Sequence, residues 1–190
     1  MLHPLLIATW TVLILIFTNP VLFISPNGKI AFSMVFINTF FFPAVWILLM
    51  RQLNFVSSLE IPDRKQRIIP LIAAIVCYVW AYMAVRKTAF PPAYSMFMLG
   101  SVFSLAISFV INVFHKLSLH MVGISGFMMC MMMLMMYSQT DVSYLFLVSV
   151  LLVGLVATAR LYLGVHTARE VNTGFIVGIF GQMLAVILFH

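Results

Sequence analysis

The segment Ala93–Phe114 reads AYSMFMLGSVFSLAISFVINVF, and it is the clearest indication of the class of fold. It holds 22 residues, none of which is Asp, Glu, Lys or Arg. A helix of about 20 apolar residues is long enough to cross the hydrocarbon core of a bilayer. The segment therefore predicts a transmembrane helix.

Further apolar runs lie on both sides of this segment. Together with it they give seven candidate spans: Leu5–Ile24, Ile30–Met50, Ile68–Val85, Ala93–Phe114, Leu119–Tyr137, Ser143–Thr158 and Val171–Phe189. The sixth run is short, and Pro20 and Pro43 are expected to kink the first two helices. With no internal repeat, we predict an all-α, polytopic transmembrane helix bundle of six or seven spans. Residues 1–190 then form a single integral membrane domain, a multi-pass membrane protein.

The composition excludes several classes of protein. Of 190 residues, 64% are hydrophobic and 7% are charged, whereas a soluble domain carries about 25% charged residues. Too few charges are present to cover a globular surface, which argues against a soluble enzyme or a disordered chain. Ten Lys and Arg against four Asp and Glu are a sparse excess, so nucleic acid is not an expected partner. Membrane lipids are the expected partners.

The distribution of positive charge leaves the orientation open. Seven crossings place seven cations with the N-terminus and three on the opposite side. The seven are Arg51, Arg64, Lys65, Arg67, Lys116, Arg160 and Arg169. The positive-inside rule would make that side cytoplasmic. Five of these cations are candidates for an anion site, however, and without them the count is two against three.

Ionisable side chains concentrate on the side that carries the N-terminus. His115, His120, His166 and Glu170 all fall there, with most of the basic residues. Ionisable groups at membrane depth are costly and usually functional. Histidines, one carboxylate and several fixed cations suit an anionic substrate. In a membrane, that predicts a phosphorylated lipid.

The spacing of His166 and Glu170 indicates nucleophilic chemistry. The two residues are four apart, which predicts that they share a helix face at the entrance of the last span. A carboxylate beside one imidazole nitrogen fixes the tautomer and leaves the other nitrogen free to attack. Arg160 offers a planar fork that holds phosphoryl oxygens. A structural His–Glu pair at a helix interface is the plainer interpretation.

A second cluster precedes the fifth run. Lys116, Ser118 and His120 stand at its entrance, on the same side as His166. A histidine there is able to protonate a leaving oxygen, and the lysine is able to pair with a phosphate.

These two clusters resemble a known family. The pattern Arg-x5-His-x3-acid-Val-x2-Gly, from Arg160 through His166 and Glu170 to Gly174, is similar to the last signature of the type 2 phosphatidic acid phosphatases, relatives of the vanadium haloperoxidases. Ser118-x-His120 resembles their middle signature, Pro-Ser-Gly-His. The resemblance covers the C-terminal half, 115–190, and the N-terminal spans, 1–114, lie outside it.

The resemblance implies a lipid phosphatase that needs no metal and no cofactor. By similarity, His166 forms a phosphohistidine, Glu170 orients it, and His120 is the general acid. Arg160 and Ser118 bind the phosphate. The substrate is then a phosphomonoester or pyrophosphate on a lipid, such as an isoprenoid pyrophosphate or phosphatidic acid.

The family's first signature, Lys-x6-Arg-Pro, is absent as written. Two groups on the same side are candidates to replace it. Lys116 stands directly before the middle motif, and the cluster at residues 63–67 enters the third run. We expect Lys116 and Arg67 to bind phosphate in its place, with Arg64 next.

Other departures keep a second hypothesis open. Ala159 replaces the usual Ser, Leu117 and Leu119 replace Pro and Gly, and Glu170 replaces Asp. A catalytically degenerate relative that binds phospholipid or acts as a scaffold fits the same residues. A transporter with a His–Glu proton relay predicts ionisable groups near the bilayer midplane, whereas here they cluster at span entrances.

Gly174 and Gly178 form a small-xxx-small pair in the last run, with Gly181 beyond. Such spacing predicts a close helix–helix contact.

Overall fold

The protein is an all-α bundle, seen in a computed structural model that describes residues 4–19, 26–55, 63–87, 90–137 and 141–189. These residues form eight α-helices and contain no strand. The helices are α1 (Pro4–Phe17), α2 (Pro26–Phe36), α3 (Phe42–Gln52), α4 (Ile68–Arg86), α5 (Pro92–Phe114), α6 (Leu119–Tyr137), α7 (Ser143–Tyr162) and α8 (Ala168–Phe189).

Six stretches of helix within the described residues are long and apolar enough to cross a membrane. One is the continuous rod Gly28–Gln52, made of α2 and α3, and the others are α4 to α8. The prediction of a multi-pass bundle is therefore confirmed. The first predicted run is helical over the 14 residues of α1, about 21 Å at 1.5 Å per residue. Its predicted end, with Pro20, lies outside the described residues.

The rod passes through Pro43 without a break. Proline has no backbone N–H, so Pro43 cannot donate to the preceding turn. The structure accommodates it with a π-helical segment, Ile37–Phe41, in which the N–H of Phe42 donates to the carbonyl of Ile37. At this proline, where the sequence predicts a kink, the structure has a π-helical segment on the N-terminal side and helix continues beyond it.

Two predicted boundaries change where the chemistry is expected. The sixth run extends to Tyr162, so Arg160 lies in the last turn of α7 rather than in a loop. The seventh run begins at Ala168, which puts Glu170 in the first turn of α8.

Helix α8 packs most closely against α5 and α6. A Cβ at Gly178 would overlap the hydroxyl of Ser125 and the carbonyl of Val122, both on α6. A Cβ at Gly181 would overlap Ser104 on α5. Small residues let transmembrane helices approach closely enough to gain dispersion energy. The contact predicted from the glycine spacing is confirmed.

We expect Gly178→Ala to lower the free energy of unfolding by about 1–3 kcal/mol, because the added methyl group forces two helices apart. The measurement is the thermal unfolding midpoint in detergent. Gly154→Ala on α7 is the matched control, since among the described residues no heavy atom beyond its chain neighbours and its own helix backbone lies within 4 Å of a Cβ there. In that variant the midpoint should stay the same or rise. Equal midpoints for both variants would contradict the packing argument.

Candidate functional site

Five side chains that the sequence singles out line one cavity of about 650 Å³. They come from four places in the chain. Arg67 precedes α4, Lys116 and His120 flank the start of α6, Arg160 lies in the last turn of α7, and His166 lies in the α7–α8 loop. Alternating helix directions bring these ends to one face of the bundle.

The His166–Glu170 pair is present, but not as a shared helix face. His166 precedes α8, and its Nδ1 lies 2.6 Å from Oε2 of Glu170. Thr167 caps the helix: the N–H of Glu170 donates to its Oγ1 at 3.3 Å, and its own N–H donates to Oε2 of Glu170 at 3.4 Å. This is a capping box, in which the third helical residue folds back on the cap. The predicted contact between His166 and Glu170 is therefore present, and the capping box supports it. The prediction that the two residues share a helix face is wrong, because His166 precedes α8.

The surroundings of His166 favour its neutral form. Burial lowers the pKa of the imidazole, and the positive charges of Lys116 and Arg67 lower it further. The hydrogen bond and the negative charge of Glu170 act in the opposite direction and raise it. The imidazole side chain is 6% exposed. A neutral ring that donates Nδ1–H to Glu170 keeps a lone pair on Nε2, which is the form that a nucleophile requires.

A glycine turn places His166 beside the end of α7. Gly164 has φ of 63°, the left-handed region, and its N–H donates to the carbonyl of Leu161. Glycine adopts this conformation without steric cost and commonly ends helices. Nζ of Lys116 then donates to the carbonyl of Val165 at 3.0 Å and ties this loop to the start of α6.

Arg67 is buried at the cavity wall. Its Nη1 donates to the carbonyl of Leu117 at 3.1 Å. Burial lowers the pKa of the guanidinium, while attraction to Glu170 and to Asp63 partly restores it. A buried guanidinium that lines a cavity is well placed to receive an anion.

Arg64 does not join this cluster. Its Nη1 donates to the carbonyls of Val113 and Phe114, at 3.0 and 2.5 Å, and so satisfies the last turn of α5. Nδ2 of Asn112 donates back to the carbonyl of Arg64 at 2.9 Å. The structure therefore places Arg64 in a helix-end contact that holds the 63–67 turn, outside the cavity wall.

Ser118 also stays behind the wall. It is fully buried, its N–H donates to the carbonyl of Glu170 at 3.2 Å, and its carbonyl accepts from the N–H of Val122. Its hydroxyl has no hydrogen-bond partner in the described part of the chain. In this position the backbone of Ser118 links α6 to α8, and its side chain does not reach the cavity.

Among the cations that line the cavity, Arg160 is the one best placed to bind a ligand. Its side chain lines the cavity, and none of the residues described in the structure forms a hydrogen bond or ion pair with it. Lys116 lies 4.0 Å from Oε2 of Glu170. Three cations, Arg67, Lys116 and Arg160, thus accompany the Glu170 carboxylate at one end of the cavity. We call this end, which also carries His120 and His166, the mouth of the cavity.

The interior of the cavity is mainly apolar. Its wall comes from α1 and from α3 to α6, as well as α8, and includes Ile7, Ile47, Leu71, Ala74, Phe97, Leu105 and Val122. Four side chains with a polar group, Tyr78, Ser101, Ser104 and Gln182, line it within the spans. None of them is among the site residues predicted from the sequence. The signal that would have found them is an amide in an otherwise apolar span.

The chain matches no protein-family model, no curated protein and no solved structure. In the described ranges, no three His, Cys, Asp or Glu side chains converge in a way that would hold a metal ion. The chemistry of the site is therefore inferred from its residues and their geometry.

The pKa of His166 should respond in opposite directions to its two neighbours. Glu170→Gln removes the charge that raises it but keeps a side chain suited to the capping box, so the pKa should fall. Lys116→Met removes a repelling cation, so the pKa should rise. Proton titration of isotopically labelled histidine by NMR measures both shifts. Movement in the same direction would contradict the arrangement.

Proposed function

We propose that this protein is a membrane-embedded lipid phosphatase that hydrolyses a phosphomonoester or pyrophosphate through a phosphohistidine. The observation that carries the proposal is one cavity with two different ends. Its mouth holds three cations and two histidines, and its interior is mainly apolar. A molecule that fits both ends has an anionic head and a long apolar tail.

The charge at the mouth favours a phosphate head. With His166 neutral, Arg67, Lys116, Arg160 and Glu170 sum to two positive charges. A phosphomonoester carries up to two negative charges at neutral pH. Guanidinium groups donate two parallel hydrogen bonds to phosphate oxygens, which fixes its orientation as well as its charge.

The first chemical step falls to His166. Nε2 attacks phosphorus, an N–P bond forms, and the P–O bond to the lipid breaks. The electron pair of that bond goes to the leaving oxygen. Glu170 accepts the hydrogen bond from Nδ1–H and stabilises the positive charge that develops on the ring. The cations at the mouth stabilise the charge on the phosphoryl oxygens in the transition state.

His120 acts first as the general acid for the leaving group and then as the general base for water. In its protonated form it gives a proton to the leaving oxygen. It then accepts a proton from the water that attacks the phosphohistidine, so that the N–P bond breaks and inorganic phosphate is released. The position of His120 on the cavity wall, at the start of α6, supports this assignment.

The departures from the family pattern supply the alternative, a relative that binds phospholipid or acts as a scaffold without turnover. Isoprenoid pyrophosphates, phosphatidic acid and similar lipids all offer the required head and tail. A panel of such lipids therefore tests substrate and activity together.

We expect His166→Ala to lower the rate of phosphate release by at least about 10³-fold, because the nucleophile is lost. The measurement is phosphate release from an isoprenoid pyrophosphate, phosphatidic acid and phosphatidylglycerol phosphate, with EDTA present. The matched control is His115→Ala, since His115 is exposed and does not line the cavity. Its rate should stay near that of the unmodified protein.

Two results would contradict the phosphatase assignment. One is full activity in His166→Ala. The other is the absence of both phosphate release and trapped phosphohistidine from folded, unmodified protein, with the lipids still bound. That second result would favour the non-catalytic alternative.

Arg160 and Arg169 form a second matched pair. We expect Arg160→Met to lower kcat/KM by about 10²-fold, because a charge-assisted contact with the phosphoryl group is lost. Arg169 is exposed on the first turn of α8 and lies outside the cavity wall, so Arg169→Met should leave kcat/KM unchanged. Equal losses in the two variants would show that Arg160 has no special contact with the substrate.

A further inference from the structure

We infer that the mainly apolar cavity is a tail chamber, and that Gln182 forms a polar floor that limits the length of the lipid tail. The inference rests on the proposed function only in placing the phosphate at the mouth. It adds a specificity-determining residue and a substrate class, lipid phosphates whose tail ends above this floor.

The position of Gln182 sets the depth of the chamber. Helix α8 begins at the mouth with Ala168 and reaches Gln182 after fourteen residues. At 1.5 Å per residue this is about 21 Å along the helix axis. Gln182 lines the cavity together with Ser101 and Ser104 on α5. Ser101 accepts a hydrogen bond from Gln182, and Ser104 packs against Gly181, so these three polar side chains lie at a similar depth, well below the histidines.

Gln182 is packed between α5 and α6. The residue is 3% exposed. A Cβ at Gly100 on α5 would overlap its amide, and a Cβ at Gly126 on α6 would lie 3.6 Å from its Nε2. The amide therefore occupies the gap that two glycines leave between neighbouring helices. Nε2 also donates to the carbonyl of Phe97 and to Oγ of Ser101, each at 3.4 Å.

A longer tail meets resistance at Gln182 for two reasons. Extra methylene groups have to overlap or displace a side chain packed between α5 and α6, which costs free energy in the same way as overpacking a core. They also surround the polar amide with hydrocarbon, which is costly wherever its hydrogen bonds are weakened. A tail that stops above Gln182 meets a mainly apolar wall.

Two substitutions should move the length limit in opposite directions. Gln182→Ala removes the floor and should admit longer tails. Gly126→Leu fills the chamber from α6 and should exclude the longer ones. Gly126→Ala is the milder form, because a Cβ there makes only ordinary van der Waals contacts. Gly154→Leu, on the outward face of α7, is the matched control for placing leucine in a helix.

The test measures binding of non-hydrolysable n-alkyl phosphonates, with tails from short to long, to the full chain in detergent. Partition of the tail into detergent is common to all variants, so the ratio of variant to unmodified affinity isolates the chamber. For Gln182→Ala the ratio should be near one for short tails and favour long tails by about tenfold. For the Gly126 variants it should fall with tail length, while for Gly154→Leu it should stay flat.

The outcomes separate this inference from the proposed function. Ratios independent of tail length in both Gln182→Ala and folded Gly126 variants would overturn the chamber, even if lipids are hydrolysed. Ratios that diverge with length support the chamber, even if no lipid on the panel releases phosphate.

Discussion

The close approach of α8 to α6 is the constraint on which the site depends. At Gly174 a Cβ would lie 2.5 Å from the carbonyl oxygen of Ser118, so no larger residue fits without moving a helix. One turn earlier, the N–H of Ser118 donates to the carbonyl of Glu170. These contacts hold the start of α6 level with the start of α8. As a result His120 and His166, 46 positions apart in the chain, line the same cavity.

Glu170 joins folding to chemistry. Its carboxylate accepts the Thr167 N–H in the capping box and also faces Nδ1 of His166. A negative side chain in the first turn suits the positive end of the helix dipole. The pairing that orients the imidazole is therefore supported by the same interaction that starts α8, and a change at Glu170 should affect helix stability and reactivity together.

Burial acts in the same direction on two basic side chains at the mouth of the cavity, and Glu170 opposes it at both. Burial lowers the pKa of both His166 and Arg67, and the cations add to this effect at His166. An arriving phosphate would neutralise excess positive charge and raise the imidazole pKa as negative charge approaches. The surroundings of His166 thus favour a neutral imidazole in the free protein, and an anion in the mouth would favour the charged ring that the proposed attack requires.

The amino-acid sequence was enough to establish the class of fold and most of the cluster. Apolar runs of span length require helices in lipid, because a helix satisfies its own backbone there. The alternating direction of successive spans then places the ends that carry these ionisable residues on one face of the bundle. The sequence could not separate Arg64 from Arg67, three residues apart in one turn, since only the packing against α5 and Leu117 turns one to a helix end and the other to the cavity. Nor could the sequence show that His166 lies before α8, because it does not reveal that Thr167 is the residue that caps this helix. The position of the Gln182 side chain depends on packing between helices. Two glycines on different helices leave the gap that its amide fills. The sequence does not show that these glycines face each other, because they are far apart in the chain.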